Sequence, residues 1–448
     1  MSFLRPDFPG QDASIINDDW ILKQIMNYKN SVTYNVNKFI NFVTPQDFGA
    51  KGDGVTDDTE SFQNMLDSGN DCLIPLSNDE TYIISKTLVI NTPRQHIVGM
   101  RNNGFSETSV PSSCIKLKYS EISTSYPLFR IESIGVCFDS LSISADAETQ
   151  NGKCFLFDGS NIEGNVDCCI ENCGITNFFY TVDISGRGLL LSNNTIINST
   201  YPIQISYNYD IDSEFQTIET GGRAYRIINN RFHSTGTSVN LISGIIIGML
   251  ISENINDIGN GILNVVGKTR LRHSVISNNV CMYTNKIPIN FACVECTDVI
   301  ISGNILHCDQ NLKPGANFGI RFEYSVSQSG IILNNIIVSN NIIDGFALDG
   351  IIIVSTDSEY ISIIGNKFKN ISNQENIFRG CVRFSKNSVS KCIICENSKI
   401  GGTAPYLVSL FTSTSNTIEI SGSVIYNNVS DTSVVSEYTD GGKNTIQN

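Results

Sequence analysis

From about residue 165 onward, the chain repeats one phrase: alternating aliphatic residues, a small or polar pair that contains asparagine, and another aliphatic residue. Two copies are Ile227-Ile-Asn-Asn230 and Ile276-Ser-Asn-Asn279. Alternation with a period of two is typical of a β-strand, whose successive side chains point to opposite faces. Further copies begin at Leu191, Ile251, Ile301, Val338, Ile363 and Ile394, and a last copy at Ile420 has Ser423 in place of the asparagine.

The copies recur at a base spacing of 24–25 residues with occasional insertions, which is typical of a solenoid. Their slots hold Ile, Val and Phe rather than fixed leucines, and the segments are too short and too β-branched for helix pairs. We therefore predict an all-β fold, a right-handed parallel β-helix whose three sheets receive three short strands from each coil. In one coil, Val299, Ile301 and Leu306 are predicted to point inward. Asn304 is predicted to make the tight turn, and 318–323 to form the third strand.

The composition agrees with this fold. The 448 residues include 63 Ile and 50 Asn but only 11 Pro and one Trp. Isoleucine fits a stacked interior, and asparagine tolerates the left-handed backbone region that a tight turn uses. Stacked at a rise of about 4.8 Å, successive asparagine side chains are expected to hydrogen-bond one another as a ladder.

The charge and the lengths of the apolar runs disfavour several classes of partner. With 30 Lys and Arg against 44 Asp and Glu, the net charge is −14, which disfavours nucleic acid as a partner. No apolar run approaches the roughly 20 residues that span a bilayer, so we expect no membrane insertion. Residues 1–12 do not have the pattern of a secretory signal peptide.

The 14 cysteines form no compact framework, and we expect free, buried thiols. Two Cys-x-x-Cys pairs begin at Cys293 and Cys392. In an extended strand, residues three apart point to opposite faces about 10 Å apart along the chain, so each pair is expected to pack in the core without a metal. We expect no metal and no organic cofactor.

A motif at the start of the repeats is more specific. The run Asp47-Phe-Gly-Ala-Lys-Gly-Asp-Gly-Val-Thr-Asp-Asp-Thr59 resembles the opening motif of the pectate-lyase-like superfamily, which includes polygalacturonase relatives and many bacteriophage tailspikes. The resemblance implies a short helix at 60–67, which closes the end of the solenoid, followed by the strands Cys72-Leu-Ile-Pro75 and Thr81-Tyr-Ile-Ile84. From the residues themselves, Asp57 is expected to cap that helix, a calcium loop being the alternative.

The resemblance begins at about Asp47 and leaves residues 1–46 outside it. Residues 18–26 read as an acid-capped amphipathic helix, and Ile25, Val32 and Phe39 lie seven apart, as in a parallel oligomer seam. We expect 1–46 to be a virion-anchor and oligomerisation segment that contacts other virion proteins, within a homotrimer. The alternative is a plain extension that packs on the β-helix. The β-helix is expected over 47–436, with a tail over 437–448.

The resemblance also implies a groove for a sugar chain over one parallel sheet. Leu348-Asp349-Gly350-Ile351 fits the position of a family aspartate, but the Asp-Asp, Gly-His-Gly and Arg-Ile-Lys companions of polygalacturonases are absent. If the Ile351 column points inward, the outward residues of consecutive coils include Asn290, Arg321, Ile352 and Arg383. The candidate catalytic residues are Glu323 and Asp349, and the candidate substrate-binding residues are Arg321, Arg379, Arg383 and Asn290. The alternative is an ordinary solvated sheet face.

Two further groups of residues are weaker candidates. An insertion after the repeat at Leu191 contains tyrosines suited to stacking on sugars and several carboxylates; its alternative is an acidic surface loop. Residues three past the turn asparagines predict two His–Asp neighbours on another sheet, and a solvated ladder or a subunit interface is the alternative. The insertion contributes Tyr207, Tyr209, Asp210, Asp212, Glu214 and Glu219, and the other sheet contributes His307 with Asp344 and His233 with Asp257.

The function expected from these features is that of a bacteriophage tailspike or tail-fibre-like virion protein, which binds and depolymerises a host surface polysaccharide as a glycoside hydrolase or polysaccharide lyase. It would be made in the host cytoplasm and reside in the virion. One alternative is a receptor-binding or structural virion β-helix without catalysis. The other is a cellular pectinase-like hydrolase or lyase.

Overall fold

The structure of the chain is a computed structural model. It describes residues 42–75, 81–99, 115–117, 126–145, 152–158, 165–206, 222–284, 286–308, 317–323, 331–354, 357–372, 379–385, 388–410, 419–436, 438–440 and 443–446. The chain divides between Val43 and Thr44. The predicted helix at 18–26 and the predicted seam of Ile25, Val32 and Phe39 lie outside the described residues.

The unit that begins at Thr44 opens with a short 3-10 helix, Pro45–Phe48, and the predicted helix α1, Thr59–Asp67. Asp57 accepts a hydrogen bond from the Thr59 backbone N–H at 3.1 Å. The Gln63 side chain donates to the carbonyl oxygen of Val89 and accepts from its N–H, both at 2.9 Å. This helix therefore covers the backbone of the strand that contains Val89, which would otherwise be an exposed edge.

The rest of this unit is a right-handed parallel β-helix, as predicted. Its strands form three walls, which we name A, B and C. Walls A and B belong to one continuous hydrogen-bonded sheet that bends around corners, and wall C is a separate sheet. Every pairing between neighbouring coils is parallel among the described strands, so each coil adds one layer to each wall.

The strands of wall A are Leu88–Ile90, Pro127–Ile131, Lys153–Asp158, Tyr180–Ser185, Tyr201–Ser206, Thr237–Ser243, Phe318–Glu323, Asp349–Val354, Gly380–Phe384, Tyr406–Leu410 and Ser433–Val435, with the first parts of Gly261–Ser277 and Ile289–Ser302. Wall B contains Asp71–Ile74, His96–Gly99, Cys137–Asp139, Asn165–Glu171, Arg187–Ser192, Tyr225–Ile228, Leu250–Ser252, Ile393–Cys395, Val424–Tyr426 and Thr445–Ile446, with the last parts of Gly261–Ser277, Ile289–Ser302, Ile332–Ser339 and Asp357–Ile364. Wall C contains Asp53–Asp57, Thr81–Ile84, Ile115–Leu117, Ser142–Ala145, Gly174–Thr176, Thr195–Ile197, Arg231–His233, Ile255–Asp257, Val280–Met282, Ile305–His307, Ile342–Asp344, Lys367–Lys369, Ser398–Ile400 and Val429–Ser430. A two-residue strand, Phe42–Val43, precedes them.

The later coils differ from the predicted three strands. From Gly222 onward, an additional short segment lies between walls A and B. It consists of Gly222–Arg223, Ile245–Ile247, Ser388–Ser390, Glu419–Ser421 and Thr439–Asp440, together with parts of the longer strands that run across the corner. The extra segment was not visible in the repeat.

Stacked aliphatic residues fill the interior. Ile320 is paired with Ile351, and Ile351 with Val382, and all three are fully buried. Val299, Ile301 and Leu306 are also fully buried, which confirms the predicted inward positions. Because each residue lies on its counterpart one coil away, like side chains pack on like side chains along the axis.

The turn between walls B and C corrects one detail of the prediction. The left-handed residue is the one before the repeated asparagine, as at Asn229 with φ 55° and Asn278 with φ 56°. The repeated asparagine itself is buried and forms the predicted ladder. Nδ2 of Asn279 donates to Oδ1 of Asn304 at 2.9 Å, and Oδ1 of Asn279 accepts from the backbone N–H of Asn254 at 3.0 Å. Each amide thus satisfies backbone groups that the turn removes from the sheets.

The ladder also corrects the last repeat. Asn397 donates to Oδ1 of Asn428 at 3.0 Å, so Asn428 rather than Ser423 occupies the final turn position. Ser423 lies at an earlier corner, where its hydroxyl accepts from the Cys392 N–H at 3.2 Å. The ladder runs through Asn194, Asn230, Asn254, Asn279, Asn304, Asn341, Asn366, Asn397 and Asn428.

Two of the cysteine expectations were wrong. Cys137 and Cys169, on neighbouring coils of wall B, form a disulfide. The Cys293 and Cys296 sulfurs lie 3.6 Å apart, because the strand turns the corner between wall A and the extra segment and both thiols point inward. Burial raises the pKa of Cys296 well above its ordinary value. The other described cysteines are buried, as predicted.

Candidate functional site

The outward face of wall A carries the register that the sequence predicts. Asn290 is paired with Arg321, Arg321 with Ile352, and Ile352 with Arg383, on consecutive coils. Two earlier coils extend the same column with Asn240 and Asn264. Within this column, Asn240, Asn264 and Asn290 form a continuous row of amides, and the guanidinium group of Arg321 follows on the next coil.

Hydrogen bonds connect this row, which we name the amide row and define as Asn240, Asn264, Asn290 and Arg321. Nδ2 of Asn264 donates to Oδ1 of Asn240 at 3.2 Å, and Nδ2 of Asn290 donates to Oδ1 of Asn264 at 2.8 Å. Nε of Arg321 donates to Oδ1 of Asn290 at 2.8 Å. Asn264 and Asn290 each use one N–H in the row, so each amide has a second N–H that the row does not use.

A cleft of about 460 Å³ lies over the amide row. Tyr201 borders it, 36% exposed, and its ring packs on that of Tyr180 with centroids 5.1 Å apart and planes 17° apart. Lys286 and Arg321 place two positive charges in the lining, and none of the described residues that line the cleft is an acid. An aromatic ring can pack against a flat face of a ligand, and amides and cations can bind its polar and acidic groups. The lining residues are Thr200, Tyr201, Thr237, Asn240, Asn260, Asn264, Lys286, Ile287, Asn290, Asn317 and Arg321.

Glu323 lies on the same strand as Arg321, two residues further along, as predicted. Its carboxylate is 3.4 Å from the Arg321 guanidinium, and its side chain is 35% exposed. It does not line the cleft. Glu323 is thus a solvent-accessible carboxylate beside the end of the amide row.

Asp349 has a different environment, since its side chain is fully buried. Its carboxylate accepts from Arg379 at 2.9 Å and from the Gly380 N–H at 3.1 Å, and it lies 3.6 Å from Arg383. Burial raises the pKa of Asp349, and the two guanidinium groups act in the opposite direction. Desolvation lowers the pKa of Arg383, opposed by Asp349. These three residues form an interior charge cluster rather than a groove surface.

The structure does not bring Glu323 and Asp349 together. Asp349 is paired with Phe318, whereas Glu323 lies five residues further along that strand. At about 3.3 Å per residue, the two backbones are separated by about 16 Å. Paired carboxylates of glycosidases are about 5 to 9.5 Å apart. The two residues therefore do not form such a pair with each other.

The predicted His–Asp neighbours on wall C are present. His233 is paired with Asp257 and His307 with Asp344. Nδ1 of His233 contacts Oδ1 of Asp257, and Oδ2 of Asp257 accepts from Arg231 at 3.1 Å. Nδ1 of His307 lies 3.5 Å from Asp344. All four residues lie on wall C, and none of them lines the cleft on wall A.

The candidates in the insertion, Tyr207, Tyr209, Asp210, Asp212, Glu214 and Glu219, lie outside the described residues.

Sequence reasoning missed most of the residues that line the cleft, among them Asn240, Asn264, Tyr201 and Lys286. The first two follow from the rule that found Asn290, because carrying the same register back through Val265 and Leu241 places them on the outward face. Tyr201 is the first residue of its strand, and Lys286 lies in a bend between two strands. No spacing in the sequence points to them.

Among the described residues, one group of potential metal ligands is close enough to share an ion: Cys137, Cys169 and Glu171. The two cysteines are joined in the disulfide, so neither offers a thiolate. In the same described ranges, no helix is long and apolar enough to cross a membrane.

No protein-family model matches the chain, and no curated protein matches it. Solved structures do. The crystal structure of Dettilon tailspike protein is 15% identical, with a TM-score of 0.53, over 87% of this chain and 68% of its own. The N-terminal fragment of bacteriophage phi29 gene product 12 is 14% identical, with a TM-score of 0.54, over 91% of this chain and 74% of its own.

The chain has the pectate-lyase-like fold. At these identities the similarity concerns the fold alone, and it agrees with the opening motif at 47–59 and with the parallel register of all three walls. In a pectate-lyase-like β-helix, the outward face of a wall is a regular surface whose side chains repeat at every coil. The amide row is such a surface.

Proposed function

We propose that the cleft on wall A binds an extended, acidic polysaccharide of a host cell surface. The observation that carries this proposal is the amide row, which runs along the solenoid axis and presents an N–H at each of two successive coils before ending in Arg321. A polymer that lies along the axis meets the same type of donor at each coil step. Lys286 and Arg321 favour acidic groups on that polymer.

We further propose that the chain acts in a bacteriophage virion, as a homotrimeric tailspike attached to other virion proteins through residues 1–46. The Dettilon protein of the same fold is named a tailspike protein. The predicted seam at Ile25, Val32 and Phe39 supports a parallel oligomer. Three parallel clefts would bind one repetitive glycan surface at several points at once, which raises the overall affinity.

Binding is tested by titrating purified surface polysaccharides into the protein by calorimetry, with an acidic and a neutral polymer from susceptible cells. We expect binding of the acidic polymer, and weaker binding when both Asn264 and Asn290 are replaced by alanine. A matched control replaces Asn278 and Asn340, which are exposed at the corner of walls B and C. Failure to bind any polymer from susceptible cells would contradict the proposal, as would equal loss in the control.

A second candidate function is cleavage of the bound polysaccharide, favoured by the accessible carboxylate of Glu323 next to Arg321. A carboxylate at the end of a sugar-binding row is positioned to exchange a proton with a glycosidic oxygen. Cleavage is measured as new reducing ends after incubation. We expect Glu323→Gln to abolish it and to leave the affinity for the intact polymer unchanged. If the unaltered protein binds the polymer but releases no products, the result favours a receptor-binding protein without catalysis.

A further inference from the structure

Four side chains that can bind a metal ion share the outward face of wall B, near the start of the solenoid. His96 is paired with Cys137, and Cys137 with Cys169, on three consecutive coils. Glu171 lies two residues after Cys169 and therefore faces the same side of the wall. Ile170, between them, is fully buried, whereas the four side chains are half-buried. We name His96, Cys137, Cys169 and Glu171 the Cys–His–Glu cluster.

Three members of this cluster are close enough to share one ion. The Cα atoms of Cys137 and Cys169 are 4.6 Å apart. One ligand atom from each of Cys137, Cys169 and Glu171 lies within 4.8 Å of the others. In a tetrahedral zinc site, metal–sulfur distances of about 2.3 Å and metal–oxygen distances of about 2.0 Å place the ligand atoms about 3.3 to 3.8 Å apart. Once the disulfide is opened, rotations of the side chains can therefore bring these three ligand atoms around one ion.

The carboxylate of Glu171 is already oriented by a neighbour. Its Oε1 accepts a hydrogen bond from the Ser192 hydroxyl, on the next coil, at 2.6 Å. Carboxylates that bind metal ions are typically held in this way by a second hydrogen-bonding group. Asp139 is the neighbour of Glu171 on the preceding coil, and its Oδ1 accepts from Ser140 and Asn172, both at 2.9 Å. Glu171 is therefore the carboxylate that is placed to meet the two sulfurs.

The two cysteines of the cluster also differ from the other described cysteines, which are all buried. Burial raises the pKa of Cys281 to about 12, for example, and a buried thiol of this kind is chemically inert. Cys137 and Cys169 instead lie on the outward face, where a reductant and an ion can reach them. Thiolate ligands select soft or borderline ions such as zinc over magnesium and calcium.

We propose that the Cys–His–Glu cluster binds one zinc ion when the chain is reduced, and that the disulfide takes the place of the ion when the chain is oxidised. The thiolates of Cys137 and Cys169, the carboxylate of Glu171 and the imidazole of His96 supply the four ligands of a closed tetrahedral site. The ion joins three successive coils at the place where the disulfide joins two. The reduced chain thus keeps a link between these coils in compartments where disulfides are rare.

The exchange between the two forms is a thiol–disulfide reaction. A small dithiol supplies two electrons and two protons, so the S–S bond breaks, two cysteine thiols form and the dithiol becomes a disulfide. Zinc then displaces the two thiol protons as it binds. In the reverse direction, a small disulfide takes two electrons from the two thiolates and is reduced to two thiolates. The S–S bond forms again, and the ion is released.

Metal analysis of the full chain tests this site. The chain is stripped with a chelator and either reduced with a phosphine, which adds no competing thiol, or oxidised with a small disulfide. Both samples are then incubated with zinc, dialysed and analysed by mass spectrometry of the metal. We expect one zinc ion per reduced chain and none in the oxidised chain. No zinc in the reduced chain, or equal zinc in both, would overturn the proposal.

Cysteine variants locate the ion within the reduced chain. Cys137→Ser is expected to abolish zinc binding, and circular dichroism checks that the β-helix is intact. Cys293→Ser is the matched control, because it removes one thiol of another close pair, whose sulfurs are 3.6 Å apart in the interior. It should retain the zinc. Retention of zinc by Cys137→Ser, or equal loss in both variants, would place the ion elsewhere and overturn the proposal.

Cobalt(II) serves as a spectroscopic probe of the carboxylate ligand. Bound by thiolates in a tetrahedral site, it gives a charge-transfer band in the near ultraviolet and strong visible bands. We expect Ser192→Ala to weaken cobalt binding about ten- to a hundredfold with the thiolate band retained, and Glu171→Gln to weaken it at least as much. Asp139→Asn removes a neighbouring carboxylate and should leave the affinity unchanged. Equal weakening in Asp139→Asn would mean that negative charge alone attracts the ion, which would overturn the site.

The same probe tests the imidazole ligand. His96→Ala should weaken cobalt binding by about tenfold or more and change the visible bands, because water then replaces the imidazole. His273→Ala, at an exposed histidine 2.9 Å from Asp298, is the matched control and should change neither. Unchanged affinity and unchanged visible bands in His96→Ala would overturn the four-ligand site. None of these measurements depends on glycan binding.

Discussion

Nε of Arg321 donates to Oδ1 of Asn290 at 2.8 Å, across two coils of wall A. This bond fixes the guanidinium at the end of the amide row and leaves its other nitrogens to face Glu323 and the cleft. Because an oriented guanidinium loses little freedom when a ligand binds, its hydrogen bonds contribute efficiently to affinity. The position of Arg321 thus follows from the repeat itself, which places one outward residue on the next.

Replacing Arg321 by glutamine should weaken binding of an acidic polysaccharide. Hydrogen bonds to charged groups contribute about 1.5 to 3 kcal/mol, so we expect the dissociation constant to rise about ten- to a hundredfold. Calorimetric titration measures this change. Arg226→Gln, an exposed arginine on the outward face of wall B, is the control and should leave the affinity unchanged. An unaltered affinity in Arg321→Gln would exclude this end of the row from the binding site.

The asparagine ladder should be a major source of stability. Replacing Asn279 by alanine leaves the backbone N–H of Asn254 and the carbonyl of Ile251 without partners in a buried turn. Each unsatisfied buried group costs about 1 to 3 kcal/mol, so we expect a loss of at least about 2 kcal/mol in the free energy of unfolding. Urea unfolding followed by circular dichroism measures it.

The adjacent residue provides the control for that variant. Asn278 is exposed and has a φ of 56°, a backbone conformation that glycine adopts readily. Asn278→Gly should therefore leave the unfolding midpoint almost unchanged. If both variants lowered the midpoint equally, the corner as a whole, rather than the ladder, would determine the stability.

The sequence predicts the fold well because its period of two determines which residues share a face. It places Asn290, Arg321, Ile352 and Arg383 in one column, and the structure agrees. The same rule places the Asp349 side chain in the interior, because Asp349 lies two residues before the inward Ile351. The family phrase had favoured a groove position instead.

The rule fails where the chain turns a corner. Cys293 and Cys296 were expected on opposite faces, but their sulfurs lie 3.6 Å apart because the strand bends between them. Nothing in the local residue pattern distinguishes this bend from a straight strand. Burial and the corners are therefore the features that needed the three-dimensional structure.

Asp349 should contribute to stability through its two arginines. Asp349→Asn removes the negative charge between the partly buried Arg379 and the buried Arg383 and leaves both guanidinium groups without this counter-charge. Breaking a buried ion pair in this way costs about 3 to 5 kcal/mol. We expect a large fall in the melting temperature measured by calorimetry. Glu323→Gln, which breaks an accessible pair with Arg321, should leave the melting temperature within about a degree or two, since such pairs contribute little.

Acidification should weaken the last described coils through Asp431. Its carboxylate receives a hydrogen bond from Lys399, whose side chain is fully buried, and accepts from the Gly401 N–H at 2.6 Å. The Lys399 bond lowers the pKa of Asp431 below its ordinary value of 3.8. A lowered carboxyl pKa stabilises the folded chain fully above that ordinary value, and the contribution is lost as the pH falls through the lowered one.

The pH dependence of unfolding therefore identifies this pair. Between pH 7 and pH 5, Asp431→Asn should unfold at a lower temperature than the unaltered protein, because the fully buried Lys399 side chain then loses its carboxylate partner. Once the pH falls below the lowered pKa of Asp431, the two proteins should converge, since protonated Asp431 resembles asparagine in charge. Asp257→Asn, at the partly buried pair with His233 on wall C, controls for the general effect of acid on carboxylates. A constant difference between the Asp431→Asn variant and the unaltered protein at every pH would show that Asp431 stabilises the turn by packing and not by its charge.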